Sequence, residues 1–380
     1  MTTGSMPGYA YGDRLKIIGR LELPKNFAPA TDTPSFDYVS YLAKDHIRYV
    51  MFRPKVEKIG EGGGNPIVAA LLRLKLKVIA VTGKLLPEPQ AALLSGILLG
   101  ERRAIPQAII DGFKRSGLIH VVILSGYSVT IIATSIMKSL SFLPVAASRS
   151  IGALAIVAFA VMTGASAMTV RASIMALIAI GARSFGRRYD AMRGLVVAAF
   201  LMIMQNPLIL VYDAAFQISI VSVVGLIYVS PILHERLGWI TEKYGLREIV
   251  CATASTQIFI MPLILYYMGQ ISVISIVPNI LILPILPWTM LVGFLAIAVG
   301  LIGGVFFALA GPFALVARLA LSYMLWIVSF FGGLPFASIQ TTISTAMLIV
   351  VYAIYITALI FLWRRRKRRQ NSSPRSANLG

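Results

Sequence analysis

The sequence predicts an all-α polytopic membrane protein carrying a small, partial β region at its N-terminus. Hydrophobic residues make up 57% of the 380 residues and charged residues only 13%, whereas soluble domains carry about 25% charged residues. Mean hydropathy is +0.80. From residue 118 onward the apolar residues are gathered into runs long enough to cross a hydrocarbon core ~30 Å thick. So apolar a chain cannot hide its surface in one globular core, and the bilayer is the expected solvent.

Lys and Arg number 35 against 15 Asp and Glu, a formal charge of +20. Two causes compete: retention of basic loops in the cytoplasm and attraction to a polyanion such as nucleic acid. The run 364–369 (RRRKRR) directly follows an apolar stretch and is assigned to the first. Charge alone therefore does not establish nucleic-acid binding. The single cysteine, Cys251, excludes an internal disulfide and a cysteine metal cluster, and neither a metal nor a cofactor is expected. Residues 1–20 hold Asp13, Arg14, Lys16 and Arg20 without an apolar core, so no signal peptide is expected there.

In chain order, residues 12–23 (GDRLKIIGRLEL) alternate as a strand, and residues 47–58 read as a second strand interrupted at Pro54. Between them, residues 36–44 predict one or two helical turns. This β unit, residues 1–60, is too small to close a sheet alone. Residues 61–66 (EGGGNP) are a linker. Within 61–117, interfacial amphipathic helices are expected, because Arg73, Lys75 and Lys77 crowd one apolar segment. The membrane region is expected over 118–363, with spans at 118–138, 148–164, 168–184, 192–211, 214–232, 249–268, 288–306, 307–331 and 342–363. Residues 270–287 form one more apolar stretch, broken by Pro278, Pro284 and Pro287, and predict a broken or re-entrant element. Residues 364–380 form a basic cytoplasmic tail.

Arg183, Arg187, Arg188 and Arg193 face Asp190 alone in the loop 183–193, which is therefore expected in the cytoplasm with the tail. Counting back from that loop puts residues 1–117 outside, with no preceding span in this sequence to deliver them. Upstream spans beyond this sequence are the expected explanation; a count wrong by one span is the alternative.

Several polar residues fall where lipid would not accept them. His120, Ser125 and Gly126 lie in the apolar run that Gly117 opens, and Arg171, Asp213, Gln217, Ser219 and Asn279 lie in or at the edge of others. One charge at bilayer depth costs about 2.5–3.5 kcal/mol on insertion scales, so such groups pair or line a wet path. An Arg171–Asp213 pair is one expectation. On the N-terminal unit, Tyr38, Tyr41, Lys44, Arg48 and Arg53 (with Tyr49) are candidates for a surface that stacks bases and meets phosphates.

In their order these blocks resemble the ComEC competence family. The residues that carry the likeness are Gly100–Glu101–Arg102, then Gly117, His120, Ser125 and Gly126; Gly164, Arg171, Ala172 and Met175; Asn206–Pro207, Asp213, Phe216, Gln217 and Ser219; and Gln257, Pro262, Tyr266, Gly269, Ser272, Asn279 and Pro284. Upstream, residues 12–47 are similar to the family's oligonucleotide/oligosaccharide-binding (OB) domain, which makes the β unit OB-like. Ser128 stands where the family places a second histidine, which weakens any role needing two histidines. The resemblance implies a channel component for uptake of single-stranded DNA across the cytoplasmic membrane during transformation. It implies as partners DNA, other competence-machinery proteins, a separate nuclease, a cytoplasmic helicase and a second copy of the chain in a homodimer. Full-length relatives carry upstream spans and often a metallo-β-lactamase-like domain; the three histidines here lie far apart, so no nuclease is expected from this sequence.

No enzymatic activity is expected. Two other readings stay open: a small-solute or lipid permease, and an intramembrane serine protease suggested by Gly164–Ala165–Ser166–Ala167 and His234. Ser166 stands in a poor copy of the protease motif, and His234 falls in a charged loop.

Overall fold

The computed structural model describes residues 9–26, 37–101, 104–122, 129, 144–304 and 306–372. Most of the expected span 118–138 lies outside them, as do Arg102, Ser125, Gly126 and Ser128.

The N-terminal unit is a bent antiparallel ribbon. Strands β1 (Arg14–Ile18) and β2 (Leu21–Glu22) run out, and β3 (Val50–Met51) and β4 (Lys55–Gly60) run back. Ile17 sits opposite Val56 and Leu21 opposite Met51. Each long strand expected from the sequence is split. The break comes where Pro54 packs on Gly19, whose missing Cβ would lie 3.2 Å from the proline ring. Proline cannot donate to the ladder, so pairing stops on both sides of it. Helix α1 (Tyr38–Ala43) fills the connection, with Asp37 accepting a hydrogen bond from the Ser40 amide as its cap.

Helix α2 (Pro66–Leu85) starts on the side chain of Asn65, which accepts from two amides of its first turn. Helix α3 (Gln90–Leu99) follows, and every residue from Ala91 to Leu99 is buried. Expected as part of an interfacial amphipathic region, it sits instead in the core, because it is apolar on all faces and other helices enclose it. Helices α4 (Gln107–Arg115) and α5 (Ile119–Val122) complete this segment.

The described helices long and apolar enough to cross a membrane are five, or six with one bent pair. They are α6 (Val145–Met162), α7 (Ala167–Ser184), the run 214–236, a 23-residue helix at 246–268, and 307–333. Between them, α8 (Ala191–Gln205) is apolar but short. The sequence suggested one span over 192–211. The helix ends at Gln205 because Pro207 follows Asn206 and disfavours helical geometry in the residue before it. A single turn, α9 (Ile209–Tyr212), leads to α10 (Ala214–Tyr228) and α11 (Ser230–Arg236). Helix α12 (Leu246–Met268) then packs along α10.

Strand β5 (Gln270–Ser272), helix α13 (Ile276–Ile282) and helix α14 (Leu286–Ile302) form the broken element the prolines predicted. The two helices meet at 42°, with Pro284 in the break and Pro287 in the first turn of the second helix. Proline lacks the N–H that would bridge the gap. The turn α15 (Phe306–Leu309) precedes α16 (Gly311–Gly333); strand β6 (Ser338–Gln340) pairs with β5, and α17 (Thr345–Ser372) ends the described chain.

These contacts sort the helix ends into two sets. Tyr267 donates to Gln217, and β5 pairs with β6 beyond Met268. Thr345 donates to the Tyr266 hydroxyl and Tyr352 to the Phe259 carbonyl, so α17 runs antiparallel to α12. One end of the bundle thus carries residues 206–217, β5–β6 and the N-terminal unit. The other carries the arginine-rich loop 183–193 and the basic run 364–369, so the two basic segments share one end.

Helix α10 meets α12 through Gly225, where a Cβ would stand 2.8 Å from Phe259 Cβ and 2.9 Å from the Ser255 carbonyl. Small residues let helix backbones approach in this way. Gly181 on α7 has nothing within 4 Å of its missing Cβ. We expect Gly225→Ala to lower the thermal midpoint, while Gly181→Ala leaves it unchanged or raises it through helix propensity, by about 1 kcal/mol. Equal effects of the two changes in a thermal melt of the purified protein would contradict this packing.

Candidate functional site

The first cluster joins the N-terminal unit to the bundle. Lys44, just after α1, is only 8% exposed, and its Nζ lies 3.4 Å from Asp213 and 3.0 Å from Asp45. Asn206 Nδ2 donates to the Lys44 carbonyl at 2.6 Å. Asp213 is 9% exposed and also caps α10, accepting from the Phe216 amide at 2.9 Å. Desolvation pushes the Lys44 ammonium down, but Asp45, Asp213 and Tyr41 outweigh it and hold its pKa above the usual lysine range. A lysine held this way keeps its charge through neutral pH, and its contribution is lost only as pH rises through that raised pKa. Gln217 extends the cluster: its Nε2 donates to the carbonyls of Leu210 and Val211, and its Oε1 accepts from Tyr267.

Arg171 does not pair with Asp213. It lies on α7, 6% exposed, and its Nε donates to Ser219 Oγ at 3.0 Å while Nη1 meets Met175 Sδ. Asp213 turns instead to Lys44, which brings a charge of the right sign to its own end of the bundle. Ser219 Oγ in turn donates a hydrogen bond to the Phe216 carbonyl. Among the described residues Arg171 has no ion-pair partner. A guanidinium has five donors; a buried one without a carboxylate is costly unless another anion or water reaches it.

The third cluster brings together motifs far apart in the chain. Gly117, at φ +77°, lies where a Cβ would meet Ser275 Cβ at 2.4 Å and Ser272 Cβ at 3.0 Å. Ser272 donates to the Ala337 carbonyl, and Asn279 is 1% exposed with its Oδ1 unpartnered. His120 stands three residues beyond Gly117 and is exposed. The structure thus joins the Gly117–His120 and Ser272–Asn279 blocks, which sequence reasoning left separate.

On the N-terminal unit, Tyr41 is exposed, as are Arg48, Tyr49 and Arg53, while Tyr38 is half-buried. Lys44 does not belong to that surface: it is buried, and its ammonium lies 4.6 Å from the Tyr41 ring centroid. The anchoring roles of Lys44 and Asn206 were not legible beforehand; only the Asn-Pro…Asp spacing hinted that residues 206–213 matter. Ser166, the serine of the protease reading, caps α7 by accepting from the Thr169 amide. No three His, Cys, Asp or Glu side chains converge as metal ligands among the described residues.

Fold and site define a multi-pass membrane protein in which polar residues are tied across helix ends beneath a small basic and aromatic unit. Residues 97–366, more than half of the chain, match the family model described as Competence protein, and the chain belongs to that family. It is 22% identical over 364 residues to ComE operon protein 3 of Bacillus subtilis (strain 168), covering 94% of this chain and 44% of that protein. The chain thus spans less than half the length of this relative. No solved structure matches.

If Lys44 and Asp213 tie the N-terminal unit to the bundle, Lys44→Met and Asp213→Asn are coupled. A double-mutant cycle on thermal unfolding is expected to return an interaction energy of roughly 0.5–3 kcal/mol. Strict additivity would contradict the tie.

Proposed function

We propose that this chain forms part of a channel that carries single-stranded DNA across the cytoplasmic membrane during natural transformation. The reading rests on one observation above the others: an exposed aromatic and basic surface is docked by a buried lysine onto the polar end of an apolar helix bundle. Membership of the Competence protein family supports the same direction. A strand arriving at the N-terminal unit meets Tyr41 and Tyr49, whose rings stack on bases at about 1–3 kcal/mol each, beside Arg48 and Arg53 for its phosphates. Gln217, Arg171 and Ser219 extend polar groups into the helices next to that unit, and His120 and Asn279 are further polar positions within apolar segments.

In this reading residues 1–60 act as an OB-like receiving unit, 61–117 link it to the bundle, 118–363 form the membrane domain and 364–380 stay in the cytoplasm. In the same reading a partner such as a cytoplasmic helicase supplies the driving force. A separate nuclease removes the second strand, and a second copy of the chain completes the assembly.

The test is delivery of labelled double-stranded DNA into the cytoplasm of a transformable host lacking its own channel. The host expresses this chain, alone or joined to the remaining parts of ComE operon protein 3. Label is expected in the cytoplasm. Arg171→Gln is expected to reduce it roughly ten- to hundredfold, since a hydrogen bond to a charged group contributes about 1.5–3 kcal/mol. Membrane-inserted protein that delivers no label in either form would contradict the proposal.

A further inference from the structure

Helix α2 carries four basic residues, and the structure treats them differently. Lys75 pairs with Glu101 at 3.4 Å and is largely buried. Arg73, Lys77 and Lys84 are exposed and have no ion pair among the described residues; Arg73 Nε only reaches back to the Ala69 carbonyl of its own helix. At ~100° per residue, these three fall within about 40° of one another and extend ~16 Å along the helix axis. They form one outward row on a helix whose other face is packed.

The packing sets the depth of the row. Val81 and Leu85 lie against Gly300 near the end of α14, the second helix of the bent pair that together is long and apolar enough to cross a membrane. Leu94 of α3 lies against Gly293 of α14, and Glu101, beyond the other end of α3, holds Lys75. Helix α2 therefore runs alongside the bent pair rather than across its end. A cation facing hydrocarbon at that depth costs about 2.5–3.5 kcal/mol, and three in a row make a lipid-facing position untenable. Phospholipid headgroups form a thin layer at each surface. A row ~16 Å long covers about half of a ~30 Å core, so no single headgroup layer reaches all three cations.

We propose that Arg73, Lys77 and Lys84 are a phosphodiester-binding ladder that lines the path of the single strand. The inference rests on the DNA-channel reading and extends it to a helix face outside the polar clusters already described. Three like charges without carboxylates repel one another, and an extended polyanion is the complementary occupant. Leu74 and Leu76, exposed on the flanks of the row, supply apolar walls to it.

The experiment is equilibrium binding of a fluorescent oligodeoxythymidylate to the full chain in zwitterionic-lipid nanodiscs, over a series of salt concentrations. Each phosphate contact contributes about 0.7 to the slope of log K against log salt for a single strand. Arg73→Gln, Lys77→Gln and Lys84→Gln together are expected to lower that slope by about 2, and each alone by about 0.7. The exchange Arg73→Lys with Lys77→Arg and Lys84→Arg is expected to keep it. The single changes carry the test if the triple variant fails to insert. An unchanged slope in inserted variants overturns the ladder while the DNA reading stands. So does loss only of a preference for anionic-lipid nanodiscs, which marks the row as a headgroup contact. Absence of oligonucleotide binding by the unaltered chain overturns both.

Discussion

A carboxylate at the end of an apolar helix bundle has to find a cation, and Asp213 finds Lys44. Much of the architecture follows from that pairing. It fixes the N-terminal ribbon over residues 206–217, with Asn206 bonded to the same lysine's backbone. It leaves Asp213 free to cap α10 with its other oxygen. It also removes Asp213 from Arg171, whose guanidinium remains within the bundle with a serine and a methionine for company. An isolated buried charge is destabilising, so the cost borne at Arg171 is the feature that packing alone leaves unexplained.

The apolar runs made the membrane helices legible. Expected spans at 148–164, 168–184 and 249–268 fall within three residues of the helices at Val145–Met162, Ala167–Ser184 and Leu246–Met268. The prolines of 270–287 marked the broken element, because a missing N–H acts locally and is visible in sequence. Less legible was whatever depends on distant partners. Nothing local says that Lys44 reaches Asp213, 169 positions away in the sequence, or that the 90–99 segment is enclosed rather than interfacial. Among the candidate residues, the polar ones in apolar segments stand out by their incongruity, while the Arg171–Asp213 pair expected from them gives way to Arg171–Ser219 and Lys44–Asp213. Charge complementarity constrains who can pair, and geometry decides who does.

The polar groups divide by what they touch. Lys44, Asn206, Asp213 and Gln217 are engaged with one another or with backbone, and they hold the N-terminal unit in place. Arg171, Arg73, Lys77 and Lys84 lack carboxylate partners among the described residues. In the proposed reading, the first group holds a mouth in place and the second leaves positive charge along a route for a polyanion.

The structure puts the N-terminal unit at the end of the bundle opposite the arginine-rich loop. The sole cysteine, Cys251, is buried, which makes single-cysteine labelling practicable. Tyr49 and Arg187 are exposed at the two ends. In intact cells stripped of outer layers, the account predicts that a membrane-impermeant maleimide labels Tyr49→Cys at once. Arg187→Cys is labelled only after the membrane is opened. Labelling of both from the same side would contradict the docking of the ribbon at the mouth of the bundle.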